Sequence, residues 1–225
     1  MFWLYNFVPK TIGFVPKPLI SVLAAIFHSS FVSINFKLIM KTKLFCTLGL
    51  LFFVTSYLLF SKVLPDFESP IDFAHWFNLI GACFLLSFND AFPENRLNSS
   101  ASIVTALGVI AHIGLCTIDF IMTSYGANDL AREELSQHIS NTASILYPFV
   151  IVGPSLLFIG LSLHALNFIK TNTISCLMVF ISSLAIGFSF FILKNGTYML
   201  LSCVVFVLGL AFLLFKKEQN ELTSK

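Results

Sequence analysis

The sequence predicts an all-α polytopic membrane protein: a bundle of six transmembrane helices, both ends of the bundle in the cytoplasm, preceded by an N-terminal extension. Three observations carry this. The 225 residues are 57% hydrophobic and only 11% charged. Their mean hydropathy is +0.90. Phe alone, at 27, outnumbers the 13 basic and 11 acidic residues together. Soluble domains carry about a quarter charged residues, so this composition cannot supply a water-facing surface. A net charge of +2, with no basic patch interleaved with aromatics, excludes a nucleic-acid partner as well.

Each span follows from length. A hydrocarbon core about 30 Å deep needs about 20 apolar residues rising ~1.5 Å each. Such runs cover residues 44–64, 73–88, 101–123, 143–166, 174–193 and 198–215. They are too uniformly apolar for barrel strands, which alternate, and open strand edges cannot be satisfied in lipid. The run 73–88 is the shortest and the most polar, with Asp72 and His75 at its entrance and Asn78 inside it. It is kept because the charge pattern of the remaining loops depends on it.

Basic residues near span ends set orientation. With the chain before Leu44 in the cytoplasm, Lys41, Lys43, Arg96, Lys170, Lys216, Lys217 and Lys225 lie inside, and only Lys62, Arg132 and Lys194 outside. The acids Asp66, Glu68, Asp72, Asp129, Glu133 and Glu134 then gather on the outer face. Met40-Lys41-Thr42-Lys43 before the first apolar run reads as a natural start. Residues 1–40 are therefore expected to be interfacial or not native, with Met40 the initiator, residues 41–217 the membrane domain, and 218–225 a cytoplasmic tail. No small-x-small cleavage site follows the first run, so a cleaved signal peptide is not expected. Asn98-Ser99-Ser100 matches a glycosylation sequon that this orientation leaves idle.

Inside hydrocarbon an ionisable side chain is a functional hypothesis by default. Asp119 lies near the outer end of the third span; His112 stands seven residues earlier and Thr105 one heptad before that, so the three form a polar stripe on one helix face. The stripe predicts a ligand site or a proton path. The competing account is interhelical hydrogen bonding worth about 1 kcal/mol per bond. Asp72 and His75 share a helical face, as do Glu134 and His138 in the loop before the fourth span, where residues 131–138 are expected to form a helical turn or two. With Asp119 these residues could hold a divalent metal at the outer face and support a metal-assisted hydrolase, although no HExxH or HxxxH motif is present.

Six helices bearing His75, His112, His138 and His164 are similar in outline to the cytochrome b561 type, which would imply haem. Axial ligands must meet at one depth. His112 is expected mid-membrane and His164 near the inner end, and His75 and His138, both at the outer rim, would pair only if the outer turn folds in, so no haem is expected. Five cysteines, all in apolar runs and without a CxxC, read as packing residues.

The fourth span carries Pro148, Gly153 and Pro154, which predict a kink. The last two spans read as a structural hairpin closed by Lys194-Asn195-Gly196-Thr197, with Ser183 and Gly187 as a small-xxx-small contact. Any site is therefore expected among the second, third and fourth spans. The function predicted is non-enzymatic: binding or passage of a small ligand or proton through the stripe, with the hydrolase and a structural subunit or scaffold as alternatives. The expected setting is a cell membrane, that of a bacterium; the expected partners are the lipid bilayer and a second copy or another membrane protein.

Overall fold

The computed structural model describes residues 40–61, 63 and 70–216, with the backbone alone for residues 70–72. The N-terminal extension and the tail 218–225 lie outside the described residues. The chain divides into two compact units, Met1–Lys41 and Thr42–Lys225, and the bundle is the second.

Every regular element among the described residues is helical. They are α1 (Met40–Phe60), α2 (Pro70–Leu85), α3 (Phe88–Ala91), α4 (Arg96–Ser124), α5 (Asp129–Asn141), α6 (Ala143–Leu166), α7 (Thr173–Leu193) and α8 (Gly196–Leu214). Five of them, α1, α4, α6, α7 and α8, are long and apolar enough to cross a membrane, consistent with a multi-pass integral membrane protein. Their large apolar side chains are exposed along the outside, Ile103 at 64% and Leu184 at 74% among them. In lipid that is the favourable place for them.

The sixth expected span is the exception. Its helix α2 has 16 residues, opens at Pro70, where a missing N–H does no harm, and yields after a turn to the short α3. At one end of the segment His75 meets Asp119 of α4, and at the other the Asn89 carbonyl accepts from Asn98 Nδ2. The two contact points on α4 are about 30 Å apart at ~1.5 Å per residue. The segment α2–α3 thus lies antiparallel beside α4 from one end to the other.

Helix starts differ from the apolar runs for one reason. Asn95, Asn128, Asn172 and Asn195 each accept a hydrogen bond from a first-turn N–H of α4, α5, α7 and α8. An asparagine cap begins a helix wherever it stands, whereas hydropathy marks only the lipid-facing part. Hence α4 begins at Arg96, ahead of the expected 101, and the loop expected to form a turn or two is the whole of α5, a 13-residue helix with no buried residue.

The centre of the bundle is the contact between α4 and α6. A Cβ placed on Gly108 would lie 2.1 Å from the Leu157 nitrogen, and one on Gly160 would lie 2.5 Å from the Thr105 nitrogen. Only hydrogen fits at these positions, so the two backbones touch. Gly153 of α6 is likewise closed, by the Pro148 carbonyl and the Ala111 methyl.

The fourth span, where a kink is expected, carries a π-helical stretch, Leu146–Ile151, in which the Val152 N–H reaches back five residues to the Tyr147 carbonyl. A second π stretch, Ser189–Leu193, ends α7 in the same way, with the Lys194 N–H donating to the Ser189 carbonyl. Lys194 itself takes a left-handed conformation, φ 47°, which turns the chain directly into α8.

The hairpin α7–α8 is present, but Ser183 and Gly187 do not make its contact. A Cβ on Gly187 meets nothing within 4 Å, whereas one on Gly209 would press on Val179 Cγ2 at 2.8 Å. The small residue that lets α7 and α8 approach is Gly209. Gly187 faces open space.

These contrasts fix an expected outcome. Gly108→Val and Gly160→Val force α4 and α6 apart and should each cost about 3 kcal/mol or more in SDS-titration unfolding, at the upper end for overpacked interiors. Gly187→Ala should be neutral or stabilise by about 0.5–1 kcal/mol through helix propensity. Equal losses at Gly108 and Gly187 would contradict the packing described.

Candidate functional site

Polar side chains gather at two depths of the bundle, with different consequences. At the end where α4 begins, His164 is fully buried. Its Nδ1 lies 2.6 Å from Asn98 Oδ1 and its Nε2 3.0 Å from Asn89 Oδ1. A ring with one N–H satisfies both when one amide turns its NH2 toward the bare nitrogen. Asn98 Nδ2 donates to the Asn89 carbonyl, Asn95 Nδ2 to Asn167 Oδ1, and Asn167 Nδ2 to the His164 carbonyl. The cluster ties α3, α4 and α6 together, and neither His164, Asn89 nor Asn98 keeps an unpartnered buried atom. It is an interhelical fastening. The Asn98 of the sequon is one of its members and is buried.

At the opposite end the helices stand apart. A cleft of about 1,030 Å³ opens between α4 and α6 on one side and α7 on the other, with α1, α2 and α8 completing its walls. Ligand cavities run to about 300–1,000 Å³, so this one is large enough for a whole small molecule. Both π stretches border it: Val150 and Ile151 belong to the first, Ser189, Phe190 and Phe191 to the second. A π turn widens a helix and shifts its side chains out of register, and such turns recur at functional sites.

Its polar lining includes His75 and Asn78 of α2, and His112 and Asp119 of α4. His75 is 6% exposed, with its ring edge-on to Phe60 and Phe120 and its Nε2 2.9 Å from Asp119 Oδ2. The Asp119 side chain is 36% exposed, so the pair has a closed imidazole end and an open carboxylate end. His75 Nδ1 and Asn78 Oδ1 are buried without a hydrogen-bond partner. An unpaired buried polar atom costs about 1–3 kcal/mol, and a site that keeps two of them beside a cleft has groups to offer.

His112 stands deeper, its ring 6.0 Å from Phe53 and 6.1 Å from Phe158. Its Nδ1 lies 3.3 Å from the Gly108 carbonyl. A carbonyl only accepts, so Nδ1 carries the proton and Nε2 is left as an acceptor.

No family model, curated protein or solved structure matches the chain. The site's own geometry is therefore the ground for function.

Against the residues singled out in the sequence, the placement is mixed. Asp119 and His112 both line the cleft, but Thr105 does not: it is fully buried, closed off by Gly160, with its hydroxyl oxygen unpartnered. The stripe therefore ends at His112. Of the residues proposed as metal ligands, His75 and Asp119 meet, while Glu134 and His138 are exposed on α5, and the Asp72 side chain lies outside the described residues. Among the described residues no three His, Cys, Asp or Glu side chains converge as a metal site. The reason is that α5 buries no residue, its Ala131, Leu135 and Ile139 side being only half-buried, and stays on the outside of the bundle.

Pro154 lines the cleft directly, and Pro148 and Gly153 shape the π turn beside it. The hairpin α7–α8 also contributes, through Ser183, Gly187, Ser189 and Met199, so the site is not confined to the second, third and fourth spans. Sequence reasoning missed Asn78 and the hairpin. The polar Asn78 within an apolar run was a signal; the open face of Gly187 had none.

Proposed function

We propose that this chain is a six-span membrane protein, its α4-starting end in the cytoplasm, that binds a small, largely apolar ligand within the membrane, in the cleft between α4, α6 and α7. The observation that carries the reading is the cleft itself: about 1,030 Å³, mostly apolar walls, and a His75–Asp119 pair with unpartnered polar atoms at one end. Few apolar cavities in small proteins combine this size with convergent polar groups. Binding is favoured over proton passage because the polar groups stop at His112, with Thr105 shut behind Gly160. It is favoured over catalysis because no hydroxyl or thiol among the described residues is bonded to the His75 or Asp119 side chain, so the pair has no nucleophile to activate.

Six crossings are supported by the course of α2–α3, which keeps beside α4 from Asp119 to Asn98. With that crossing Lys41, Lys43, Arg96, Lys170 and Lys216 fall on one side, the arrangement that positive-inside bias favours.

Two measurements test this. Cysteines introduced at the exposed positions Val63 and Glu94 bracket α2–α3; a membrane-impermeant maleimide applied to intact cells should label the first and reach the second only after permeabilisation. Labelling of both from one side would reduce the crossings to five. For the ligand, native mass spectrometry of protein released from its own membrane should show a small-molecule adduct on the wild type that is lost in Gly187→Phe, a variant that puts a ring into the open space. An adduct pattern identical in the two proteins would remove the cleft as the binding place.

A further inference from the structure

The hydrogen-bond inventory of the cleft is lopsided, and it specifies the polar end of what fits there. Four donors on its walls are already engaged. His75 Nε2 faces the Asp119 carboxylate at 2.9 Å. His112 Nδ1 faces the Gly108 carbonyl at 3.3 Å. The Ser155 hydroxyl donates to the Ile151 carbonyl at 3.1 Å, and the Ser183 hydroxyl to the Phe180 carbonyl at 2.8 Å.

What is left over accepts. The second carboxylate oxygen of Asp119, the His112 Nε2 and the serine lone pairs all lack a donor of their own. The Asn78 and Asn195 amides and the Tyr57 and Ser189 hydroxyls, also in the lining, can play either part, and the atom that Asn78 leaves unpartnered beside His75 is its accepting oxygen. Among the described residues the only lysine or arginine bordering the cleft is Lys194, exposed past the end of α7. An acceptor facing another acceptor in a low-dielectric site is left unpaired, so the mismatch discriminates strongly.

Resting on the reading of the cleft as a binding site, we propose that its ligand is an amphiphile whose head is a hydrogen-bond donor, a hydroxyl or a protonated amine, on an apolar chain. The head bonds to Asp119 beside His75, and the chain lies along Ile151, Phe158, Ile186 and Phe190. Two observations beyond the acceptor count agree. His75 and Asn78, each only 6% exposed, hold unpartnered polar atoms in the wall where the head would rest. The space in front of Gly187, where a Cβ meets nothing within 4 Å, leaves room for the chain between α6 and α7.

The test uses the full chain in lipid nanodiscs and probes that share one dodecyl chain: dodecanol, dodecylamine, dodecanoate and dodecyltrimethylammonium. The first two have donors; dodecanoate only accepts; the last has the amine's charge and no donor. Occupancy by native mass spectrometry should be saturable for dodecanol and dodecylamine and about tenfold weaker for the other two, the loss expected when a buried acceptor gains no partner. Asp119→Asn, altering a part-exposed side chain, should erase most of the preference for dodecylamine over dodecyltrimethylammonium. Gly187→Phe, checked for an unchanged melting temperature, should abolish saturable binding of all four.

If dodecanoate or dodecyltrimethylammonium binds as tightly as the donors, and Gly187→Phe still blocks it, the head-group inference is overturned while the cleft stands. If no probe binds in a manner sensitive to Gly187→Phe, the cleft reading fails and takes this inference with it. A preference between dodecanol and dodecylamine identifies which donor is native.

Discussion

The bundle depends on the touching backbones of α4 and α6. At Gly108 and Gly160 the opposing chain comes so close that a methyl group would overlap Leu157 or Thr105. In lipid, helices gain nothing from hiding apolar surface from water, so close approach of this kind, with its dispersion contacts, is the main attraction available. The remaining elements attach to this pair. The segment α2–α3 is fastened to α4 at two points, His75 to Asp119 and Asn89 to Asn98, and His164 of α6 joins the second. Phe158 of α6 carries α8 through Phe206, their rings 5.4 Å apart.

The two ends of the bundle are held differently, and the cleft lies at one of them. Where α4 begins, the His164–asparagine cluster closes the bundle with mutual hydrogen bonds. Toward the other end, the π stretches of α6 and α7 line the cleft, and Gly187 leaves the gap unfilled. One polar cluster is complete within itself and fastens helices; the other is incomplete and faces a cavity. That difference in satisfaction, not in residue type, separates the structural histidine from the ones assigned to binding.

Much of the fold was legible in the sequence because the lipid-facing surface writes hydropathy directly into the chain. The span 143–166 coincides with α6, and 174–193 with α7 but for one residue. Helix starts were less legible, since asparagine caps lie outside the apolar runs. Asp119, His112 and His75 were readable as costly groups in a membrane. Their partners were not: His164 and Asn98 are 66 residues apart, Asn89 and His164 75, and no local pattern announces a contact across that distance. The grouping of Glu134 and His138 with His75 failed for the same reason, as nothing local reveals that α5 stays outside. The phenylalanines, which the sequence showed only as a mark of composition, include the rings packed against both cleft histidines.

The central claim is that the gap between α6 and α7 is a ligand site. The most direct measurement is an electron cryomicroscopy map of the full chain purified with its native lipids. The account predicts elongated non-protein density between these helices, with one end within hydrogen-bond distance of Asp119. A map in which α7 closes onto α6, or in which Phe158 and Phe190 fill the space themselves, would contradict it.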